Sequence, residues 1–323
     1  MRHRSKMIDD PFSDILKVAN AQSVATGGFS TGGSWALRFP PPTKIKFSAV
    51  AKGSCWLCFE GEEPVRVEAG DVVLVSAQPR TFVVAGDLAA VPVDAAKVLN
   101  PHLPTITKIG KREDFVLIGG RVQLDATTGW LLADVLPPVV HVRGSSARAT
   151  SMRWIIDELV REQVSALPGK SVACTQLAQL LFVHTLRAHL ATAESLTSGW
   201  LRAFRDPRVA PALRLMHREP SRSWRVQELA KAAGMSRTAF ALHFKALAGI
   251  APLAYLTEWR MRLAEKALRD TDAPVAALAQ SLGYTSESAF SNAFRRVTGK
   301  APSHYRSHVK AASESLRVAA HPG

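Results

Sequence analysis

Two short stretches of the chain carry side chains of the kind that read the edges of bases. At about 100° per residue on a helix, Thr238, Ala241, Leu242 and Lys245 share one face, and Ser288, Ser291, Asn292 and Arg295 share another. Asn and Arg make paired hydrogen bonds to adenine and guanine in the major groove, Ser and Thr adapt to several partners, and Ala or Leu can touch a thymine methyl. Arg237 opens the first stretch, Ser286 and Glu287 open the second and Arg296 follows it, and all four join the candidate nucleic-acid surface. The first face is chemically the poorer. In each stretch two phenylalanines four residues apart, Phe240 with Phe244 and Phe290 with Phe294, mark the opposite side as the one to be buried.

What positions these faces is an internal repeat. LAKAAGMSRTAFALHFKALAGIAP, residues 229–252, is echoed by LAQSLGYTSESAFSNAFRRVTGKAP, residues 278–302, at an offset of 49 that becomes 50 after one extra residue. Each copy reads as a helix, a glycine (Gly234, Gly283) where φ must turn positive, a hydroxyl cap (Ser236 in one, Thr285 or Ser286 in the other) and a second helix. That is a helix-turn-helix, present twice. Between the copies Pro252 to Asp270 reads as one helix, about 28 Å long at 1.5 Å per residue, near the roughly 34 Å between successive major grooves. Upstream, Asp206-Pro207 supplies an N-cap and a first-turn proline for another helix.

Charge points to the same region. The chain has 323 residues, 41 Lys and Arg against 27 Asp and Glu, and a net charge of +14. Between positions 200 and 310 stand nineteen Lys and Arg against eight Asp and Glu, so +11 of the +14 lies in about a third of the length. A polyanion is the expected partner of this part. With 47% hydrophobic and 21% charged residues the composition is that of a folded protein, and its length suits more than one domain. Asp9, Asp10 and Asp14 interrupt the start where a secretory signal would be apolar, and the uncharged run Ser171 to Leu186 is too short and polar to span a bilayer, so no membrane partner is expected. Three cysteines cannot build a disulfide framework, which fits a reducing, cytoplasmic compartment.

The first part of the chain follows a different rhythm. Trp35–Phe39, Lys46–Ala51, Ser54–Phe59, Val65–Val67, Asp71–Val75 and Thr81–Val84 are short apolar runs separated by turn residues, and Phe115–Gly119 with Arg121–Leu124 adds more β structure after a Pro- and Ala-rich loop. A small antiparallel barrel or sandwich is expected. Ser151–Ser165 and Val172–Ala191 then carry apolar residues at helical spacing and form an antiparallel pair, either a support for the β structure or a dimer interface, with dimerisation favoured. His184 and His189 are ordinary residues of that pair.

The repeat closely resembles the AraC/XylS family of bacterial transcription regulators, over about Asp206 to Arg306. The landmarks are LA, G-M-S and two Phe in the first copy, Arg260 and Ala264 on the connecting helix, and Gly283 to Arg306 at the end. The N-terminal part resembles the cupin-type sensor of one branch of that family through Trp35–Pro40, Gly53–Leu57, Ala69–Val75 and Leu136–Gly144. The resemblance implies an α+β multidomain protein: a cupin-like antiparallel β-barrel (1–145), a helical linker or dimerisation pair (146–200), an all-α double helix-turn-helix DNA-binding domain (201–310) and a disordered tail (311–323). It implies promoter DNA, RNA polymerase, a small-molecule effector and a second copy of the chain as partners.

Where such sensors often carry histidines this chain has Ser48 and Arg80, and no histidine lies between His3 and His102. A cupin metal site needs a histidine cluster with a carboxylate, so no metal and no other cofactor is expected. Phe47, Trp56 and Arg80 are the candidate effector-binding residues. Cys55-x-x-Cys58 lies on an apparent strand, where i and i+3 point to opposite faces, and reads as two small packed residues. No catalytic residues are assigned. Two other functions stay open beside the ligand-responsive regulator: a cupin-type small-molecule enzyme with a basic accessory domain, and an architectural DNA-binding protein without sequence preference.

Overall fold

The computed structural model describes residues 10–76, 80–99, 105–125, 129, 132, 136–146, 149–192 and 200–320. The chain divides into two compact units. One runs from Asn20 to Asp125 and resumes from Leu132 to Ser195; the other holds Leu196 to Gly323 together with a helix from the N-terminal segment.

Among the described residues the first unit contains β1 (Gln22–Thr31), β2 (Ala36–Phe39), β3 (Ile45–Lys52), β4 (Ser54–Phe59), β5 (Val65–Glu68), β6 (Val72–Val75), β7 (Phe82–Ala85), β8 (Val93–Asp94), β9 (Ile106–Lys108), β10 (Phe115–Gln123) and β11 (Val139–Val142). A one-turn helix, α2 (Ala95–Val98), lies between β8 and β9. The strands form a six-stranded sheet in the order β11-β6-β3-β10-β1-β9 and a five-stranded sheet in the order β5-β4-β7-β2-β8. All pairings are antiparallel except β1 with β9 and β2 with β8. The inner faces close on one another: Phe29, Val50 and Leu117 from the first sheet share a core with Leu37, Leu57 and Val84 from the second. Strict alternation explains β4, where Cys55, Leu57 and Phe59 are buried while Trp56 and Cys58 are half-buried on the other side. The two cysteines therefore stand on opposite faces as free thiols. Burial pushes the Cys55 thiol up to about 12, away from the thiolate that redox or metal chemistry requires.

Strand β1 has no apolar run to announce it. Its Gly27 takes φ +102° at a bulge after Ala25, a conformation open to glycine and strained for other residues. At its neighbour Gly28 a Cβ would stand 2.1 Å from the Leu117 carbonyl oxygen of β10. Close approach of backbones selected glycine here, which hid the strand.

The helical pair, α3 (Ala149–Val164) and α4 (Lys170–Thr192), has bounds within two residues of those expected. It covers the outer face of the six-stranded sheet, α3 against β3 and β10 and α4 against β1 and β11. Gln179 fastens it, donating to the Ala21 carbonyl at 3.0 Å and accepting from the Ser23 N–H at 2.7 Å. The pair is thus a support for its own β structure. At the sheet edge the buried Asp71 accepts from the N–H groups of Gly144 at 2.7 Å and Glu68 at 3.0 Å and meets His141 Nε2 at 2.8 Å. Desolvation raises the carboxyl's pKa, but these hydrogen bonds outweigh it and hold the group below the usual carboxylate range.

The second unit is helical: α1 (Pro11–Val18), α5 (Trp200–Arg205), α6 (Ala210–Arg218), α7 (Val226–Ala232), α8 (Arg237–Ala248), α9 (Pro252–Asp270), α10 (Val275–Ser281), α11 (Glu287–Thr298) and α12 (Pro302–Ala320). Asp206 caps the turn before α6, its Oδ1 accepting from the N–H groups of Arg208 and Val209 at 2.9 and 3.1 Å. The connecting helix α9 has the bounds read from the sequence. The tail differs from expectation: instead of being disordered from 311, the chain stays helical to Ala320. Residues 310–320, KAASESLRVAA, are mostly strong helix formers that continue the α12 turn begun at Pro302, and 321–323 lie outside the described residues.

Helix α1 departs from the expected sensor boundary by folding with this unit, against α6 and α9. Its buried Asp14 lies 3.7 Å from Nδ1 of His217, whose ring stacks on Trp259 at 4.1 Å and whose Nε2 meets the Tyr255 hydroxyl at 2.7 Å. Complete burial drives the His217 pKa below its ordinary value despite the opposing pull of Asp14. The unfolded chain then binds the extra proton more readily, so this group's stabilisation is complete above the unfolded histidine pKa of about 6.5 and is lost as pH falls below it. We expect the urea midpoint of this unit to drop between pH 7.5 and pH 5.5, and His217→Gln to flatten that dependence. An unchanged slope would show that His217 is protonated at little cost.

Candidate nucleic-acid interface

Both helix-turn-helix units are assembled by the same physics. After α7 and α10 the backbone turns through Gly234 (φ +64°) and Gly283 (φ +83°). Ser236 then accepts from the Ala239 N–H at 3.2 Å and Ser286 from the Ala289 N–H at 3.1 Å, each satisfying a donor at a helix start. Of the two hydroxyl candidates before α11, Ser286 is the cap. Gly249 and Gly299 close α8 and α11 in the left-handed conformation. Phe240, Phe244, Phe290 and Phe294 are all fully buried, with ring centroids 5.7 Å apart in the first pair and 5.8 Å in the second.

Burying the phenylalanines turns the opposite faces outward. Arg237, Thr238, Leu242 and Lys245 on α8 are exposed, as are Ser286, Glu287, Ser288, Asn292, Arg295 and Arg296 at α11; Ala241 and Ser291 are half-buried at the edges of these faces. Leu242 is 67% exposed, an apolar side chain with no packing role within the unit. Several cations elsewhere in the unit are neutralised by carboxylates. Arg222 pairs with Glu228, Arg262 with Glu265, Lys266 with Asp270 and Lys310 with Asp272. By contrast the side chains of Arg237, Lys245, Arg295 and Arg296 make no hydrogen bond or ion pair among the described residues. Unpaired cations on the exposed side of two repeated helices are the electrostatic footprint of a polyanion site.

Two features were not legible beforehand. An open groove of about 830 Å³ beside the first turn is lined by Arg225, Lys231, Ser236 and Arg237 among others, extending the cationic surface past the start of α8. A junction also ties the two repeats together. Arg260 of α9 donates through Nε to the Pro220 carbonyl at 2.5 Å and through Nη2 to the Arg222 carbonyl at 2.9 Å, and its guanidinium lies 5.7 Å from the Tyr284 ring centroid. Gly283 sits against the same loop, where an added Cβ would stand 2.0 Å from the Ser221 carbonyl oxygen. On the other side His243 of α8 meets Asp206 Oδ2 at 2.8 Å, so the residue that caps the turn before α6 also anchors α8.

The three effector candidates do not converge, and the reason is strand parity. Phe47 is buried on the helix-covered side of β3, where a Cβ on Gly120 would meet its ring at 2.1 Å. Trp56 lies on the outer side of β4, 5.1 Å from the Arg66 guanidinium. Arg80 is exposed and paired with Glu62 at 2.8 Å. Both faces of the six-stranded sheet are buried, so a large apolar residue on β3 does not report which face is the interior. The inward positions there are Lys46, Ser48 and Val50. Among the described residues no group of three or more His, Cys, Asp or Glu side chains is placed to hold a metal ion, and no single helix is long and apolar enough to cross a membrane.

Residues 10–191 match the family described as Cupin, and residues 229–308 match the family described as Helix-turn-helix domain. A putative AraC-like transcription regulator of Streptomyces antibioticus is 40% identical over 300 residues, covering 93% of this chain and 99% of that protein. The RCS-specific HTH-type transcriptional activator RclR of Escherichia coli K12 is 32% identical over 308 residues, covering 93% of this chain and 98% of its own. A crystal structure of the DNA-binding domain of AdpA in complex with a target DNA aligns with 33% of this chain and 96% of its own, at 33% identity and a TM-score of 0.32.

Proposed function

Because the chain belongs to the AraC-like family of transcription regulators, with a cupin domain ahead of its helix-turn-helix domain, we propose that α8 and α11 are its recognition helices, entering successive major grooves of promoter DNA. On α11, Asn292 and Arg295 make bidentate contacts to adenine and guanine, Ser288 and Ser291 contact neighbouring edges, Glu287 accepts from a cytosine amino group, and Ser286 and Arg296 hold the phosphates. On α8, Thr238, Ala241 and Leu242 meet base edges and methyl groups while Arg237 and Lys245 hold the backbone. The observation that carries this reading is the exposed face on each of the two repeated helices, opposite the buried phenylalanines, whose cations make no ion pair among the described residues.

The β unit acts as the sensor of a small-molecule effector, and the protein works in the cytoplasm as a non-enzymatic regulator. It acts as a homodimer that contacts RNA polymerase. Support for a second copy comes from the outer side of the helical pair, where Trp154 is 56% and Val172 66% exposed. A concentration-independent monomer mass in sedimentation equilibrium, or transcription in vitro that ignores the protein, would remove these two partners.

The test of the DNA reading is binding to the upstream promoter duplex and to a scrambled duplex of equal composition, at physiological salt. Asn292→Ala and Arg295→Ala are each expected to cost about 1–3 kcal/mol on the promoter, roughly 5- to 150-fold, and much less on the scrambled duplex. Equal binding to both duplexes with a steep salt slope would mark an architectural protein instead.

A further inference from the structure

The two repeats are built alike and equipped differently. Ser236 and Ser286 cap α8 and α11 in the same way and both phenylalanine pairs are buried, so the repeat brings side chains into equivalent places. Thr238, Ala241, Leu242 and Lys245 on α8 correspond to Ser288, Ser291, Asn292 and Arg295 on α11. One helix offers a hydroxyl and an ammonium; the other offers two hydroxyls, a carboxamide and a guanidinium. The planar donor sets of Asn and Arg fit one base edge and reject others, whereas Ala241 and Leu242 can do no more than touch a thymine methyl. Lys245 is a point charge on a flexible stem and lacks the fixed fork of Arg295.

Charge is distributed the opposite way. The groove of about 830 Å³ beside the first turn is lined by Arg225, Lys231 and Arg237, all exposed. Its carboxylate, Glu228, is occupied, accepting from Arg222 Nη2 at 2.7 Å and from the Arg225 N–H at 2.8 Å. The three cationic side chains themselves make no hydrogen bond or ion pair among the described residues. Their counterparts in the second repeat are Pro274, Gln280 and Glu287, equally exposed but without a positive charge among them. Three like charges around one groove repel each other, and a polyanion relieves that repulsion. Through Ser236 and Arg237 the groove runs into the exposed start of α8, so what it holds is continuous with what α8 touches.

We propose that the two heads divide the work: the Arg225–Lys231–Arg237 groove grips the phosphate backbone beside the first subsite with little regard to sequence, and α11 supplies most of the operator's sequence information at the second. The inference rests on the reading of α8 and α11 as recognition helices and gives each its share. The experiment is selection of duplexes from a random library by the full chain, repeated with Asn292→Ala, followed by titration of a selected and a scrambled duplex between about 50 and 200 mM salt. The wild-type protein enriches one kind of well-defined block, accompanied at a fixed distance by isolated thymines at most, and Asn292→Ala flattens that block. Base changes within it weaken binding about 5- to 150-fold each. Arg225→Gln and Lys231→Gln each lower the slope of log K against log salt by about 0.9 and weaken both duplexes by the same factor, leaving the ratio between them in place. Both positions are exposed, so the melting temperature stays that of the wild type. Two different blocks of equal information overturn the division of work and leave both recognition helices standing. A single block that survives Asn292→Ala overturns it as well, since α8 then does the reading. An unchanged salt slope in both glutamine variants takes the phosphates out of the groove and leaves it to an acidic protein face. No enrichment at all removes the recognition-helix reading itself.

Discussion

Alanine at Gly283 is expected to disable the second unit, whereas alanine at its counterpart Gly234 is not. Both residues hold positive φ, 83° and 64°, so both substitutions carry the left-handed penalty of about 1–2 kcal/mol. They differ in their surroundings. Nothing lies within 4 Å of a Cβ at Gly234, but a Cβ at Gly283 would be 2.0 Å from a backbone oxygen of Ser221, in a loop held by two hydrogen bonds from Arg260. Backbone so restrained cannot retreat cheaply, and we expect a total of about 3–5 kcal/mol for Gly283→Ala, at the upper end of single substitutions. Urea melts of the two variants check this. Equal destabilisation would mean that the junction yields and that the contact between the repeats is soft.

Phe294→Ala is expected to cost about 3–5 kcal/mol. Its ring is wholly buried, 5.8 Å from Phe290 and 5.5 Å from Tyr305 by centroid, in a core that also takes in Met261 and Leu268 of α9. Because α9 runs through both repeats, the cavity would loosen the connecting helix as well as α11, and promoter binding should fall with stability. Leu242→Ala is the control. It removes a comparably apolar side chain from an exposed position, so stability should stay within about 0.5 kcal/mol while DNA affinity changes. If Phe294→Ala melts like the wild type, α11 does not depend on the core that orients it.

These contrasts show which parts of the molecule a sequence can disclose. The double repeat was legible because each copy carries its own caps, its own glycine and its own pair of phenylalanines, all within about two dozen residues. Helix α9 was legible to the residue because Pro252 opens it and no breaker follows before Asp270. Strand β1 was not, because Gly27 and Gly28 serve backbone approach and leave no apolar alternation to read. The orientation of Phe47 toward the helix-covered side was not legible, because a sheet buried on both faces gives hydrophobicity without direction. The docking of α1 was out of reach altogether, since Asp14 and His217 are 203 positions apart and neither lies in a pattern that names the other.

The junction built from Arg260, Tyr284, Gly283 and the Pro220–Arg222 loop has a consequence for the DNA. A flexible tether between two reading heads would let each find its own subsite over a range of separations. A clamped one sets a single pitch and a single rotational phase. Inserting one base pair between the two subsites turns the far one by about 34° around the duplex axis, and with the heads locked the mismatch must be absorbed as twist in the DNA. Operators for this protein should therefore tolerate base changes in the stretch between the subsites far better than a change in its length.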